Sequence, residues 1–462
     1  MVDTLGYVVA AAPFLVAAGA LAGLRWSAGR AGLAAFGAAV AGAAFWPGLQ
    51  VSGLGEAVLE GFGISGRVLY VLFGGLLLYN LLSVGGAVEE ISRFLGRLEP
   101  DREALAVGVV LGVSPFFESV TGFGVAIIIS APILLSAGFS PLRAAVLASW
   151  GQCAVPWGAL GVGTVIGAEL AGMGFGQLSD LSALLSLPLF PVYGLSAALL
   201  AGGREGLRRH GIGAAALGVG AGVMTLACSV YLSPELSGAA GGLAAAGLFA
   251  GVRWRRLRGL RIPVRALAPY ALLVVLIFIA GWIGSGAVFS GPGTPLLAAG
   301  GAAAVLFGLG GRQVARAAAG TMRQWLPTAG AVLSFVLAGQ VFAASGAAAT
   351  LASGAAALGG LYPAAAPVFG ALGGGLTGSN AASNALFMPL QVGAAEELGL
   401  DEGIIAAVQN VAGSHASLLA PQRAVLAAAA VGLAGKEAEV MVRAAPPVIV
   451  SVMVLAALGL LL

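Results

Sequence analysis

The chain has 462 residues, of which 59% are hydrophobic and only 9% are charged. Because soluble domains average about a quarter charged residues, this composition excludes an ordinary soluble protein and indicates an all-α integral membrane protein. The formal net charge of +3 does not indicate a nucleic acid partner, since the arginines cluster in short loops, as orientation in a membrane requires.

Apolar runs of about twenty residues predict helices that span the bilayer, and the short alternating strands of a membrane barrel are absent from the sequence. The two cysteines, Cys153 and Cys228, lie inside apolar runs and predict neither a disulfide nor a metal site. The sequence also lacks a phosphate-binding loop that ends in Gly-Lys-Ser/Thr. It therefore predicts no enzyme, no bound cofactor and no metal.

Residues 1–202 form the predicted first half, which starts with an apolar span that has no basic leader. Its main feature is SPFFESVTGFGVAIIISAPILLSAGF (114–139), an apolar stretch that carries Glu118 and several helix breakers. Non-helical backbone at membrane depth is tolerated only where it lines a cavity or is buried in protein. We therefore predict a re-entrant hairpin at about 113–139.

Residues 203–264 form a predicted linker with two transmembrane helices and a basic cytoplasmic loop. The loop belongs to the run RWRRLRGLRIPVR (253–265). Such a dense run of arginines indicates membrane orientation and contact with lipid headgroups of the bilayer.

Residues 265–462 form the predicted second half. Its segment LTGSNAASNALFMPL (376–390) aligns with VTGFGVAIIISAPIL (120–134), about 256 residues earlier. Both segments place Thr-Gly after an apolar residue and reach a proline at a similar position. A second re-entrant hairpin is therefore predicted at about 370–398.

The loops that flank the two hairpins carry opposite charges. Arg102 and Arg143 flank the first hairpin, whereas Glu396, Glu397 and Asp401 follow the tip of the second. Since basic loops stay inside, the halves are predicted to be inverted-topology repeats of an ion-transporter-like fold. The fold would have about eleven to thirteen transmembrane helices plus the two hairpins.

The hairpin tips have the chemistry of an anion site. Glycine permits a tight turn, and short helices that begin there direct unpaired N–H groups and partial positive charge into the membrane. A small carboxylate fits this environment, and Na⁺ held by freed carbonyls also fits. The candidate substrate-binding residues are polar or glycine positions at the tips and helix breaks: Ser119, Thr121, Gly122, Gln152, Thr377, Gly378, Ser379, Asn380, Ser383, Asn384, Gln409, Asn410, Gln422 and Arg423.

Three ionisable residues have competing interpretations. Glu118 either exchanges a coupling proton inside the membrane or lies solvated at the mouth of the hairpin. Arg423, in an apolar run, either clamps the substrate carboxylate, pairs with Glu118, or snorkels to the interface. His415, expected in the unwound part of a broken helix, either relays protons or is a satisfied structural histidine.

Four segments resemble the bacterial lactate permease family, and the resemblance covers most of the chain. The segments are FFESVTGFGVAIIISAPILLSAGFSPLRAAV, WGALGVGT, LTGSNAASNALFMPLQ and LLAPQRAVLAAAAVGLAGKE. The first is similar to the family's Glu-Gly-x-x-Gly-Phe-Gly hairpin, with Glu118, Gly122, Phe123 and Gly124 matching. The chain departs from the family pattern at five positions, where other residues are usual: Ser119, Gly151, Ala154, Gly163 and Arg423.

The resemblance implies proton-coupled uptake of L-lactate, D-lactate or glycolate across the bacterial inner membrane, with H⁺ as the coupling ion. Other interpretations stay open: a Na⁺-coupled importer, an exporter of another organic or sulfonate anion, or a passive anion channel. The expected partners are a small carboxylate and the lipid bilayer, and a homodimer is possible for this architecture.

Overall fold

The computed structural model describes residues 4–45, 53–122, 124–283 and 291–461, and within these ranges its regular secondary structure is entirely helical. Phe123 of the family motif lies outside the described residues. The apolar composition explains this architecture, because only helices and closed barrels satisfy every backbone polar group within a bilayer.

The helices of the first half run from α1 to α10. They are α1 (Thr4–Ala18), α2 (Ala28–Phe45), α3 (Leu54–Val84), α4 (Ala87–Leu98), α5 (Arg102–Gly108), α6 (Ser114–Thr121), α7 (Val125–Ser136), α8 (Pro141–Trp150), α9 (Gly158–Leu170) and α10 (Phe175–Ser186).

The remaining helices comprise a middle segment and a second series. They are α11 (Leu189–Tyr231), α12 (Ser237–Val252), α13 (Trp254–Leu257), α14 (Val264–Ile283), α15 (Gly293–Leu306), α16 (Gly311–Ala344), α17 (Ala347–Ala356), α18 (Tyr362–Thr377), α19 (Asn380–Leu398), α20 (Glu402–Ala416), α21 (Pro421–Ala430) and α22 (Glu437–Leu461).

The two series follow a similar order. Each contains one long helix, α3 or α16, then a short helix, a helix–break–helix unit and a second broken pair. The series also contact each other: α3 packs on α16, α7 packs on α21, and α9 packs on α19. Helix α11 is broken at Gly203 (φ 66°), at the predicted boundary between the first half and the linker. That the halves are inverted repeats stays a prediction.

Seven helices of the described residues are long and apolar enough to cross a membrane, or nine if two sharply bent pairs each count as one span. The bent pairs are Pro141–Trp150 with Val155–Leu170, at 66°, and Ala347–Ala356 with Gly359–Thr377, at 100°. Four shorter apolar helices accompany them. The chain is therefore a multi-pass membrane protein, and the larger number of eleven to thirteen spans stays a prediction.

Both expected hairpins contain a break at the expected tip, but their first limbs begin earlier than the sequence suggested. The first limb starts at Arg102 rather than near 113, because Asp101 caps α5 and a π-helical turn, Val109–Val113, joins α5 to α6. The second limb starts at Tyr362 rather than near 370. Whether either unit re-enters the membrane stays a prediction.

Glycine allows close backbone approach between the helices that carry the second break. Gly374 of α18 lies against Gly413 of α20, so that a Cβ on Gly374 would overlap the Gly413 carbonyl oxygen. Small residues at helix interfaces permit this approach inside a membrane. The packing fixes α18, and with it the tip at 378–379, against the chain that leads to α21.

Candidate functional site

Glu118 lies one turn before the end of α6 and is 1% exposed. Its carboxylate accepts the backbone N–H of Gly124, at 3.3 Å to Oε1 and 3.2 Å to Oε2, across the break. The buried position contradicts the interpretation that Glu118 is a solvated residue at the mouth of the hairpin. The N-terminus of α7, which begins at Val125, faces the same break and favours negative charge there.

Gly122 and Gly124 make this break possible. Both residues have positive φ, 69° and 82°, which glycine adopts without a steric penalty. A Cβ on Gly122 would lie 2.7 Å from Cβ of Ala159, and a Cβ on Gly124 would lie 2.7 Å from Nη1 of Arg423. The tip is therefore packed directly against its neighbours, with no room for larger residues.

Arg423, near the start of α21, links the two tips. Its Nε donates to the carbonyl oxygen of Gly378 at 3.1 Å, and its Nη1 lies 3.8 Å from Oε1 of Glu118. The residue is 7% exposed, so its side chain does not snorkel to an interface. Nη1 has no hydrogen-bond partner among the described residues. The guanidinium thus balances the buried carboxylate and keeps donor capacity for a further anion.

Gln152 lies in the break between α8 and α9 and is fully buried. Neither polar atom of its side-chain amide has a hydrogen-bond partner in the described part of the chain. An added Cβ on Gly124 would lie 3.6 Å from Nε2 of Gln152, near the position where it meets Arg423. Buried polar groups are normally hydrogen-bonded, so an unpaired amide beside an unpaired guanidinium N–H indicates a place for a ligand.

A second polar cluster centres on Asn410 of α20. Its Oδ1 accepts Nδ2 of Asn380 and Nδ2 of Asn384, each at 2.8 Å. Its Nδ2 donates to Oγ1 of Thr164 at 3.0 Å and to Oγ of Ser182 at 2.8 Å. The cluster therefore joins α9, α10, α19 and α20 across the two halves.

Gln409 and Ser383 extend this second cluster. Nε2 of Gln409 donates to Oγ of Ser383 at 3.2 Å, and Ser383 donates to the carbonyl of Gly370 at 3.1 Å. Gln391 donates to Gln409 at 3.0 Å. Most donors here are used within the protein, while Oδ1 of Asn380 and Oδ1 of Asn384 are buried without a partner in the described residues. The free atoms of this cluster are acceptors, whereas the groups around Gly124 include two free donors, Nη1 of Arg423 and Nε2 of Gln152.

Several hydroxyls at the tips satisfy local backbone groups. Thr121 donates to the carbonyl of Phe117 at 2.6 Å, and Thr377 donates to that of Gly373 at 2.7 Å. Ser379 caps α19 by accepting the N–H of Ala382. In the described residues these side chains thus support the tips and do not project free groups into a site.

Two further candidates at the tips make different contacts. Gln422 donates through Nε2 to the carbonyl oxygen of Thr377 and thereby holds the second tip to α21. The hydroxyl of Ser119 lies against Gly238 of α12 and has no hydrogen-bond partner among the described residues. Ser119 therefore faces the linker helices rather than Arg423.

His415 lies in the last turn of α20, where its Nδ1 is 3.2 Å from the hydroxyl of Tyr193. The expectation that His415 belongs to an unwound segment is wrong, because α20 continues to Ala416 and the break covers residues 417–420. Its Nε2 is buried and has no partner in the described part. No hydrogen bond of the described residues joins His415 to Glu118.

The sequence did not single out Thr164, Ser182 and Tyr193, which hold Asn410 and His415. Isolated hydroxyls are common in apolar helices, where they bond to the preceding turn. Only the packing of α9 and α10 against α20, and the contact of Tyr193 with His415, identify these three as partners. Gln391 was noted within a motif, but its central position was not expected.

Comparisons with known proteins cover most of the chain. The family model described as L-lactate permease matches residues 6–258 and 282–462. An L-lactate permease of Streptococcus iniae is 27% identical over 378 residues, which cover 72% of this chain and 79% of that protein. The glycolate permease GlcA of Escherichia coli K12 is 25% identical over 460 residues, with 80% of each chain covered. An L-lactate permease of the same strain is 40% identical over 95 residues, 21% of this chain and 17% of that protein.

Proposed function

The chain belongs to the L-lactate permease family, and from that premise we propose that it takes up lactate or a related small 2-hydroxymonocarboxylate together with a proton. The membrane would be the bacterial inner membrane. Relatives along most of its length are named as permeases for L-lactate and for glycolate, and none of these is named as an enzyme. This agrees with the prediction that the chain is not an enzyme.

One observation supports the proposal most directly. A buried carboxylate, a buried guanidinium with an unused N–H and an unpaired glutamine amide meet at Gly124. Ionisable groups inside the membrane are rare and mark ion and substrate pathways. Here, all three groups lie beside the N-terminus of α7, which favours an anion.

We propose that Glu118 and the substrate carboxylate compete for the same donors. When Glu118 is ionised, it accepts the Gly124 N–H and balances Arg423. When Glu118 takes up a proton, its charge is lost, and the guanidinium is left as an unbalanced buried cation, which is unfavourable. A carboxylate that enters then restores the balance. One proton and one monovalent anion therefore enter together.

Gln152 supplies recognition of the substrate's second polar group. A primary amide both donates and accepts, which matches the hydroxyl of a 2-hydroxy acid. Because both amide atoms of Gln152 are unpaired in the described protein, binding the hydroxyl breaks no existing hydrogen bond. A site with unpaired polar groups also discriminates against analogues that lack the hydroxyl.

A Na⁺-coupled mechanism is the second candidate, and the cluster around Asn410 favours it. Oδ1 of Asn380 and Oδ1 of Asn384 are buried without partners in the described residues. In secondary transporters, backbone carbonyl oxygens freed at helix breaks coordinate Na⁺, and these two side-chain amide oxygens are likewise neutral acceptors. The two mechanisms differ in the gradient that drives uptake.

Uptake of radiolabelled L-lactate into proteoliposomes tests the proposal. An inward proton gradient should drive accumulation in wild type, an uncoupler should abolish it, and a Na⁺ gradient should have no effect. In Glu118→Gln, accumulation should be lost while exchange of internal for external lactate continues, since a neutral side chain mimics the protonated state. The matched control, Glu205→Gln, changes an exposed carboxylate that pairs with Arg209.

Other outcomes of this experiment contradict the mechanism in distinct ways. Accumulation driven by Na⁺ alone would favour the second candidate. Equilibration without accumulation would indicate a channel. Unchanged proton-driven accumulation in Glu118→Gln would exclude Glu118 as the proton carrier.

A further inference from the structure

Helix α4 is amphipathic and lies between the long helix α3 and the first limb α5. Ile91, Leu95 and Leu98 on one face are buried, whereas Arg93 and Arg97 on the other face are exposed. An apolar face opposite a charged face is typical of helices that lie in the plane of the membrane–water interface. The apolar face of α4 is buried against the rest of the protein, and we expect its exposed arginines to lie at the depth of the headgroups.

Beneath α4 lies a cavity of about 170 Å³. It is bordered by α4, α5, α6, α12 and α14 and lined by apolar residues, including Phe94, Phe116, Phe249 and Leu267. The space would admit several water molecules, but apolar cavities stay dry because water finds no hydrogen-bond partners there. A hydrocarbon chain matches both the space and the lining.

A second cavity, of about 450 Å³, adjoins the first, since Phe94 and Pro263 line both. Three arginines line it, Arg93, Arg97 and Arg261, together with a single acid, Glu90. Arg93 donates only to the Glu89 carbonyl of its own helix, at 3.3 Å, and the other two arginines have no ion pair among the described residues.

Other arginines of the same basic run have partners within the protein. Glu99 accepts hydrogen bonds from both Arg253 and Arg256, and Arg265 donates to the carbonyl oxygen of Leu306. In the second cavity three arginines accompany one acid, so positive charge exceeds negative charge there. Guanidinium groups bind phosphate oxygens through paired hydrogen bonds, which makes a phosphate the fitting anion.

We propose that these adjoining cavities form a binding site for one anionic phospholipid, with an acyl chain in the apolar cavity and the phosphate among the three arginines. Charge complementarity selects an anionic over a zwitterionic headgroup. The acyl chain would contact Phe116 and Phe117, which immediately precede Glu118 on α6. Binding of this lipid does not depend on which anion the protein transports.

Native mass spectrometry of the purified protein in a neutral detergent tests the site. The probes are palmitoyl-oleoyl phosphatidylglycerol, the matching phosphatidylcholine, and inorganic phosphate alone. We expect phosphatidylglycerol to be retained at least about tenfold more tightly than phosphatidylcholine, since each arginine near a headgroup contributes to its binding. Inorganic phosphate should neither bind measurably nor displace the lipid.

Two variants distinguish the contribution of the headgroup to lipid binding from that of the acyl chain. Arg93→Gln/Arg97→Gln/Arg261→Gln should remove the preference for phosphatidylglycerol, and Ala246→Leu, which fills the apolar cavity, should weaken retention of both lipids. The matched control, Arg312→Gln/Arg316→Gln/Arg323→Gln, removes three exposed arginines of α16 and should leave retention unchanged.

The proposal is overturned by any of three results. In the first, wild type retains the two lipids equally. In the second, the α16 control loses its preference for phosphatidylglycerol as completely as the Arg93/Arg97/Arg261 variant does. In the third, inorganic phosphate displaces the lipid. If the triple variant does not fold, the wild-type comparison and Ala246→Leu still decide the outcome.

Discussion

At the scale of single residues, Gln152 and Gln391 are both fully buried glutamines, but they differ in their hydrogen bonds. Gln152 has no hydrogen-bond partner among the described residues, whereas Gln391 bonds to Tyr362, Ala366 and Gln409. We expect Gln152→Leu to raise the KM for lactate about tenfold, which corresponds to ~1.4 kcal/mol, because the substrate hydroxyl loses its partner.

The same substitution should leave the melting temperature of the purified protein unchanged, since the protein loses no internal hydrogen bond. Gln391→Leu should lower that temperature, because each lost hydrogen bond contributes roughly 1 kcal/mol. Equal destabilisation by both variants would show that Gln152 has a structural role instead.

We expect the contributions of Glu118 and Arg423 to the stability of the protein to be coupled. Removing one member of a buried ion pair leaves an uncompensated charge, at a cost of ~3–5 kcal/mol, whereas removing both can be nearly neutral. We therefore expect Arg423→Gln to lower the melting temperature clearly and Glu118→Gln/Arg423→Gln to restore most of it. If the double variant melts at the temperature that simple additivity gives, the 3.8 Å contact carries no coupling.

At the scale of elements, the tip between α6 and α7 needs glycine both for its positive φ and for its close contact with Arg423. A comparison of Gly124 with Gly138 distinguishes the two effects. Gly124 (φ 82°) and Gly138 (φ 86°) both have positive φ, but only Gly124 faces other atoms, with Arg423 Nη1 2.7 Å from an added Cβ. We expect Gly138→Ala to lower stability by ~1 kcal/mol from backbone strain alone and to keep lactate uptake.

Gly124→Ala should carry the same strain and also displace the guanidinium, so that uptake falls by at least about tenfold. Thermal unfolding and the proteoliposome assay measure the two effects separately. If both variants transport equally well, the tip tolerates a side chain and Arg423 does not need its observed position.

The elements also show which parts of the structure could be predicted. The tips at 122–124 and 378–379 followed from glycine, whose positive φ ends a helix wherever it occurs. The start of the first limb did not, because residues 104–113 are continuously apolar after the capped first turn, and the π-helical turn at their end has no sequence signal. Helix boundaries inside such runs depend on caps and packing rather than on periodicity.

The same contrast applies to the site. Glu118 and Arg423 were identified from the sequence because a charge in an apolar run needs a reason. Thr164 and Ser182 were not, because a hydroxyl can satisfy itself on its own helix. Their role as partners of Asn410 exists only once α9 and α10 pack on α20.

At the scale of the whole molecule, the polar groups lie where the two series of helices meet. Helix α7 of the first series packs on α21 of the second, and α9 packs on α19. Glu118 and Arg423 belong to opposite series, as do Thr164 and Asn410. Movement of one series against the other would therefore separate these partners, whereas it would leave contacts within each series intact.

The two native cysteines report on this movement, and they are equally buried, at 1% exposure each. Cys153 lies beside Gln152 in the α8–α9 break, whereas Cys228 lies near the end of α11, where its thiol donates to the carbonyl oxygen of Ser233 in the loop before α12. Alkylation of a buried thiol requires an opening that exposes it.

If transport separates the series, lactate with an inward proton gradient should change the alkylation rate of Cys153 by a membrane-permeant maleimide severalfold, while that of Cys228 stays constant. Mass spectrometry of the alkylated peptides measures both rates in one sample, so that a change shared by both cysteines would indicate general loosening of the fold. Constant rates at both sites would mean that the break around Gln152 stays closed during transport, and the site would then have to open elsewhere.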